Sequence, residues 1–261
     1  MLDVEGLRVE ARHRTAPVLN SISVQTERGE VLGVVGESGS GKTTFARCLL
    51  RVEAPLKITG GRIGFAGIDL VNARSADVRG LRGRRIALVP QDPIGAFDPL
   101  FPVSAQIRAF VTTHAGPIVA AAELAAGPAL EVTLARLEAF GVPRSFAVGR
   151  TYPHAWSRGM LQRALFALAT APAPDLLVLD EPTAALDAPV ADRLVADITR
   201  LARTRGTATI LVTHDLALAA TVCDRLLVLK DGAMIETGTM ADVIGGAKTT
   251  YARSLVESAV W

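Results

Sequence analysis

One segment of the chain carries the residue types that bind a triphosphate. It fits the pattern GxxxxGK[ST] and consists of Gly36, Glu37, Ser38, Gly39, Ser40, Gly41, Lys42 and Thr43. The glycines let backbone N–H groups face an anion, Lys42 can reach the β- and γ-phosphates, and the Thr43 hydroxyl can ligate Mg²⁺. Thr44 follows directly and joins the expected nucleotide contacts. This glycine loop (residues 36–43) predicts a nucleotide site rather than an ordinary glycine-rich turn.

A pair of carboxylates further along the chain could complete this chemistry. Asp180 and Glu181 follow the apolar run Leu176–Leu179, which is typical of a buried strand. An acidic pair at a strand end is by itself most often a solvated turn. In combination with a glycine loop, the pair instead indicates a catalytic site. P-loop ATPases place a carboxylate on the Mg²⁺ shell at this edge of the sheet. We therefore expect Asp180 to ligate Mg²⁺ and Glu181 to polarise the attacking water.

Alternating strands and helices must bring these segments together. Strands are predicted at Leu2–Glu10, Val18–Thr26, Val31–Val35, Ile63–Phe65, Ile86–Val89, Leu176–Leu179 and Thr209–Val212, followed by a hairpin around Asp231-Gly232. Helices are predicted from Lys42 to about Arg51, at Val190–Thr204 and at Leu216–Cys223. The order predicts a single α/β domain with a parallel or mixed core sheet and an antiparallel N-terminal β portion. Helical spacing over about residues 92–170 predicts an inserted helical subdomain.

Composition narrows the classes of protein that the chain can be. Of its 261 residues, 49% are hydrophobic and 21% charged, which excludes wholesale disorder. A net charge of +2 and the lack of basic, aromatic-rich patches predict no nucleic-acid partner. Cys48 and Cys223 stand far apart, so neither a zinc site nor a disulfide scaffold is expected. We also expect no signal peptide and no membrane-spanning segment, since no apolar run reaches about 18 residues.

The stretch from Glu181 to Asp187, with the sequence EPTAALD, narrows the prediction to one protein family. The chain resembles, over nearly its whole length, the ATP-binding subunit of an ABC transporter. The resemblance implies ATP and Mg²⁺, with Asp180 and Glu181 as the Walker B pair and Asp187 in the D-loop that touches a partner subunit. It also implies that His214 contacts the γ-phosphate. Gln91 would join the Mg²⁺ and water site to the transmembrane partner.

Other segments resemble the peptide and nickel importer group of that family. These segments are Gln91–Leu100 and Tyr152-Pro153-His154. Met160–Arg163 and the tail segment Tyr251–Val256 are most similar to the nickel-type branch. The resemblance leaves two cargo classes open, nickel complexes and di- or oligopeptides.

Two segments depart from the family pattern. The signature motif, usually LSGGQ or LSGGM, here reads WSRGM, so that Ser157 and Gly159 are kept and Arg158 replaces a glycine. The family also stacks an aromatic residue on adenine near the end of the first strand. The matching stretch contains no aromatic residue, and Arg12 and His13 are the alternatives for that role.

The resemblance implies a subunit that works only in an assembly. Its expected partners are a second ATP-binding subunit in a heterodimer, two transmembrane permeases and an extracytoplasmic solute-binding protein. Each ATP would lie between the glycine loop of one subunit and the signature of the other, at the cytoplasmic face of the membrane. Two alternatives stay open: a soluble ABC ATPase without a transport role, and a regulatory subunit that binds ATP but hardly hydrolyses it.

Overall fold

The structure is a computed structural model that describes residues 1–12, 14–121, 129–184, 186 and 188–259. Its strands are β1 Leu2–Glu10, β2 Leu19–Thr26, β3 Val31–Val35, β4 Lys57–Phe65, β5 Ile68–Asp69, β6 Ile86–Val89, β7 Leu176–Asp180, β8 Ala208–Val212, β9 Arg225–Lys230 and β10 Ala233–Thr239. Its helices are α1 Lys42–Cys48, α2 Ser75–Leu81, α3 Val103–Ala121, α4 Ala129–Ala139, α5 Arg144–Val148, α6 Arg158–Thr170, α7 Ala188–Arg205, α8 Leu216–Val222, α9 Met240–Gly246 and α10 Thr250–Glu257.

These strands form one mixed sheet in the order β5-β4-β1-β2-β10-β9-β3-β8-β7-β6. The run β9-β3-β8-β7-β6 is parallel, whereas β1, β2, β4 and β5 pair antiparallel. Strand β10 joins the two portions, since it pairs antiparallel with β9 and parallel with β2. The predicted α/β fold, with its antiparallel N-terminal portion, is confirmed.

The parallel strands are buried on both faces, which explains their continuous apolar runs. In β3, Val31 and Val35 face one hydrophobic cluster and Leu32 and Val34 face another. The first cluster contains side chains from α3 to α8, and the second contains α1, α2 and the antiparallel strands. Helices on both sides of the sheet thus fix the carboxyl ends of β3, β7 and β8 relative to one another.

Helices α3 to α6 lie between β6 and β7, within the stretch where the helical subdomain is predicted. They contribute buried residues such as Ile107, Leu137 and Phe166 to the first cluster. A residue with non-helical backbone angles, His114, interrupts α3. The extent of a separate subdomain, about 92–170, stays a prediction.

Several predicted boundaries are wrong by a few residues. Helix α1 ends at Cys48 rather than near Arg51, because the backbone of Arg51 adopts a left-handed conformation with a φ of 53°. Helix α8 ends one residue early, since Cys223 is already extended. Strand β4 begins six residues before Ile63, in a stretch with two glycines and no apolar alternation. Helices α2, α9 and α10 were not predicted.

Candidate functional site

The parallel strands carry the candidate residues to one edge of the sheet. The glycine loop follows β3, the carboxylate pair stands at the end of β7, and His214 follows β8. Gln91 comes two residues after β6, at the same edge. Because carboxyl ends of parallel strands meet at one edge, four segments that are far apart in sequence converge there.

Glycine is required at two positions of the loop. Gly36 has a φ of 149°, and a Cβ atom there would lie 2.1 Å from the carbonyl oxygen of Leu229. Gly41, with a φ of 102°, would place a Cβ 2.6 Å from the side chain of Leu19. Any larger residue would push the loop away from the end of β9 and change the path of the backbone that must face the phosphates.

Lys42 is folded back onto the start of the loop. Its Nζ donates to the carbonyl oxygens of Gly36 at 2.8 Å and Glu37 at 2.9 Å, and the residue is only 8% exposed. Burial lowers the pKa of this ammonium, while the nearby carboxylates of Glu181 and Asp180 oppose that shift. The result is a desolvated cation, positioned by two carbonyls, at the place where a β/γ-phosphate charge would arrive.

The residues expected to bind magnesium are adjacent. The Thr43 hydroxyl donates to Asp180 Oδ1 at 3.2 Å. Burial raises the pKa of Asp180; the hydrogen bond from Thr43 opposes this shift, and the charge of Glu181 adds to it. Hydroxyl, carboxylate and amide oxygens are hard ligands that suit Mg²⁺, which normally keeps several waters and substrate phosphate oxygens in its shell. The residues that the structure describes contain no group of three or more His, Cys, Asp or Glu side chains that could hold a metal.

Glu181 and His214 form a hydrogen-bonded pair. Glu181 Oε1 lies 2.8 Å from His214 Nδ1, and the two side chains differ sharply in exposure, 8% against 70%. Glu181 has a φ of 48°, an unusual conformation for a non-glycine residue, and its N–H donates to the carbonyl of Val212. This backbone turn aims the carboxylate into the site, and such strained residues are common in active sites.

These groups line an open cleft of about 680 Å³. The cleft includes nine of the predicted residues, namely Ser38, Gly39, Gly41, Lys42, Thr43, Thr44, Gln91, Glu181 and His214. It also includes Arg14 and Val18, which sequence reasoning missed because no motif marks them. They lie just beyond the stretch where Arg12 and His13 are the alternatives for adenine stacking; His13 is outside the described residues.

The signature residues lie elsewhere. Neither Ser157 nor Gly159 lines the cleft. Ser157 is the N-cap of α6, and its hydroxyl accepts the N–H of Met160 at 3.1 Å. Arg158 begins this helix with an exposed side chain, while Trp156 is buried and donates to the Thr151 hydroxyl. Asp187, the predicted D-loop residue, lies outside the described residues.

Comparison with known proteins identifies a family for this chain. The ABC transporter family matches residues 19–184. The dipeptide transport ATP-binding protein DppD of Haemophilus influenzae is 34% identical over 261 residues, covering 99% of this chain and 77% of that protein. The oligopeptide transport ATP-binding protein OppD of Salmonella typhimurium is 34% identical over 245 residues, covering 93% of this chain and 71% of that protein.

The fold also has solved relatives. A dimeric ATP-binding cassette in a post-hydrolysis state, bound to ADP and Pi, matches with a TM-score of 0.78 at 22% identity. The match covers 92% of this chain and 99% of that one. At this level of identity the likeness supports the fold alone.

A glycine loop at the carboxyl end of a central parallel strand defines the class of P-loop nucleoside triphosphatases. Within that class, this chain belongs to the ABC transporter family. The family match and the similarity to DppD over 99% of this chain show this. It is an ABC-type ATPase, an ATP-binding subunit that couples ATP hydrolysis to transport. In the part of the chain that the structure describes, no helix has the length and apolar character needed to cross a bilayer.

Proposed function

We propose that this chain is the ATP-hydrolysing subunit of an importer for dipeptides or oligopeptides. The observation that carries the proposal is the convergence of the buried Lys42, the Thr43–Asp180 pair and the Glu181–His214 pair on one cleft. Peptides are favoured over nickel complexes as the cargo because relatives similar along almost the whole chain are dipeptide and oligopeptide transport proteins.

Each residue of the cleft has a distinct role in this proposal. Lys42 neutralises the β- and γ-phosphates, and the backbone amides of the loop bind their oxygens. Glu181 orients the attacking water and accepts its proton, while His214 holds the γ-phosphate and fixes the Glu181 carboxylate through their 2.8 Å contact. Mg²⁺, held by Thr43 and Asp180 with Gln91 beside them, would supply positive charge to the phosphate oxygens. Catalysis is then mainly positioning and charge stabilisation.

The site requires a second subunit. Because Ser157 and Gly159 lie outside the cleft of their own chain, they are free to serve the ATP bound to a partner's glycine loop. Asp187 would contact the same partner. This arrangement supports a dimer of two ATP-binding subunits, with the exposed Arg158 as the reason to favour a heterodimer with unequal sites.

A membrane partner would bind beyond Gln91. Ile94, Leu100 and Phe101 are large apolar side chains that remain exposed, and Leu100 is 78% exposed. They lie shortly after Gln91, the residue that the resemblance links to the transmembrane partner, and burying them against a permease would be favourable. The subunit would then sit peripherally at the cytoplasmic face, and an extracytoplasmic solute-binding protein would deliver the peptide.

The assembled complex tests this function. We expect low ATP hydrolysis by the chain alone, and several-fold faster hydrolysis in vesicles that also contain its permeases, its second ATP-binding subunit and a peptide-loaded binding protein. Nickel-loaded and unloaded binding protein are the controls. Equal rates with and without the partners would favour the soluble ATPase. Retained ATP binding, with no loss of turnover in the complex when Glu181 is replaced by glutamine, would favour the regulatory subunit.

Arg158→Gly is expected to raise hydrolysis at the partner's glycine loop by about fivefold, the effect of one regained backbone hydrogen bond of about 1 kcal/mol. Glycine lets the backbone of the signature approach the γ-phosphate, whereas the arginine side chain stands in the gap. Turnover is measured in a complex whose own Lys42 site is disabled by Lys42→Ala. In a separate complex with Lys42 intact, Arg158→Gly should not change ATP affinity at this chain's loop.

Arg158→Lys, which keeps charge and bulk, is the matched control for that experiment and should remain slow. No gain with glycine, or a loss, would mean that Arg158 is harmless or itself binds phosphate. The unequal-site hypothesis would then be wrong.

A further inference from the structure

The first two residues of the glycine loop are held from two sides. On one side, the carbonyls of Gly36 and Glu37 accept the Lys42 ammonium. On the other, the N–H of Glu37 donates to the phenolic oxygen of Tyr251 at 3.1 Å. Tyr251 lies 214 residues after Glu37 in the sequence, in the first turn of α10. Helix α10 is therefore hydrogen-bonded to the same short segment that positions Lys42, the phosphate-binding lysine.

The tyrosine ring is itself fixed in place. The Lys230 ammonium lies 4.6 Å from the ring centroid, in a cation–π contact at the end of β9. The same strand carries Leu229, whose carbonyl oxygen packs against Gly36. Tyr251 and Leu255 also pack against the first hydrophobic cluster, the one that contains side chains from α3 to α8. The ring thus has little freedom to move away from the loop.

A carboxylate on β10 anchors the start of α10. Glu236 accepts the N–H groups of Lys248 and Thr249 and the Thr249 hydroxyl, at 2.9 to 3.1 Å for the closest contacts. The Thr249 hydroxyl in turn accepts the N–H of Ala252 and caps the helix. Hydrogen bonds thus tie the start of α10 to the sheet through Glu236, and a separate one ties Tyr251 of the same helix to the glycine loop.

From this geometry, and resting on the proposed function, we infer that Tyr251 is a positioning residue for ATP binding. Its hydroxyl accepts the Glu37 N–H and fixes the peptide that joins Gly36 to Glu37, and so keeps the Gly36 carbonyl of that peptide turned toward Lys42. A loop without this hydrogen bond spends part of its time in conformations that do not present the lysine correctly. Apparent affinity falls in proportion to the population of the competent loop.

Tyr251→Phe removes only the hydroxyl and keeps the ring, its packing and the cation–π contact. Loss of one hydrogen bond worth about 1 kcal/mol corresponds to a dissociation constant for MgATP about fivefold higher. In the assembled complex the KM for ATP should rise by a similar factor, while kcat at saturating ATP is unchanged. Hydrogen exchange of the Glu37 amide, measured without nucleotide, should also accelerate by about fivefold.

Ser254→Ala is the matched control. It removes a hydroxyl from the same helix, one that donates only to the carbonyl of Tyr251, and should change neither affinity nor Glu37 exchange. Unchanged affinity and exchange in Tyr251→Phe would overturn the inference, as would a lower thermal stability with unchanged affinity. The exchange measurement needs no nucleotide. If the wild-type chain binds no ATP while Tyr251→Phe still accelerates Glu37 exchange, the proposed function and the role in ATP binding are both contradicted, and only a structural contact is left.

Discussion

Glu181→Gln is expected to retain MgATP and to lower its hydrolysis in the assembled complex by about 10²- to 10⁴-fold, the usual contribution of a general base. The amide has the shape of the carboxylate but cannot accept the proton of the attacking water. Asp180 and Thr43, which are placed to hold Mg²⁺, are unchanged, so binding survives. Because ATP is bound but not hydrolysed, we also expect the variant to stay in a closed dimer with its partner subunit. Turnover is measured at saturating ATP, and the dimer with bound nucleotide is detected by size-exclusion chromatography.

A double-mutant cycle with His214 sharpens this experiment. Because Glu181 and His214 are hydrogen-bonded, we expect His214→Ala to add little to the loss already caused by Glu181→Gln. Glu27→Gln, which changes an exposed carboxylate outside the cleft, serves as the control for a lost charge. Hydrolysis at the native rate by Glu181→Gln would remove Glu181 from the role of base. Fully multiplicative losses would mean that the two side chains act independently.

The parts of the site that the sequence predicts are those in which adjacent residues share one task. The glycine loop can be recognised because its glycines, Lys42 and Thr43 must stand at fixed spacing within one short segment to form one anion cradle. The strands that carry it can be recognised because both of their faces are buried, which requires a continuous apolar run. In the same way, the carboxylate pair follows its strand directly.

Contacts between distant segments could not be predicted in this way. Tyr251 meets Glu37 only because α10 packs against α9 and β10, and neither residue type suggests the other. Arg14 and Val18 enter the cleft from a loop without a motif. Strand β4 is specified by its pairing with β1 rather than by its own glycine-containing sequence. The catalytic roles of Gln91, Glu181 and His214 stay predictions until the variants are measured.

Lys42→Ala is expected to weaken MgATP binding by about 100-fold or more, since two hydrogen bonds to charged phosphate oxygens are together worth about 3 kcal/mol. The loss is enhanced by the neighbours of the lysine. Without the ammonium, the Asp180 and Glu181 carboxylates face the phosphates with less compensating charge. Burial lowers the pKa of Lys42 and these same carboxylates oppose that shift, so the three groups act as one electrostatic unit.

Calorimetric titration with ATP and with ADP tests this prediction and places the lysine along the phosphate chain. If Lys42 reaches the γ-phosphate, the alanine variant should lose more affinity for ATP than for ADP. Lys57→Ala, which removes an exposed lysine from β4, is the matched control and should bind both nucleotides normally. Native ATP affinity in Lys42→Ala would contradict the assignment of the glycine loop. Equal losses for the two nucleotides would instead place the ammonium at the β-phosphate, and leave His214 as the residue that holds the γ-phosphate.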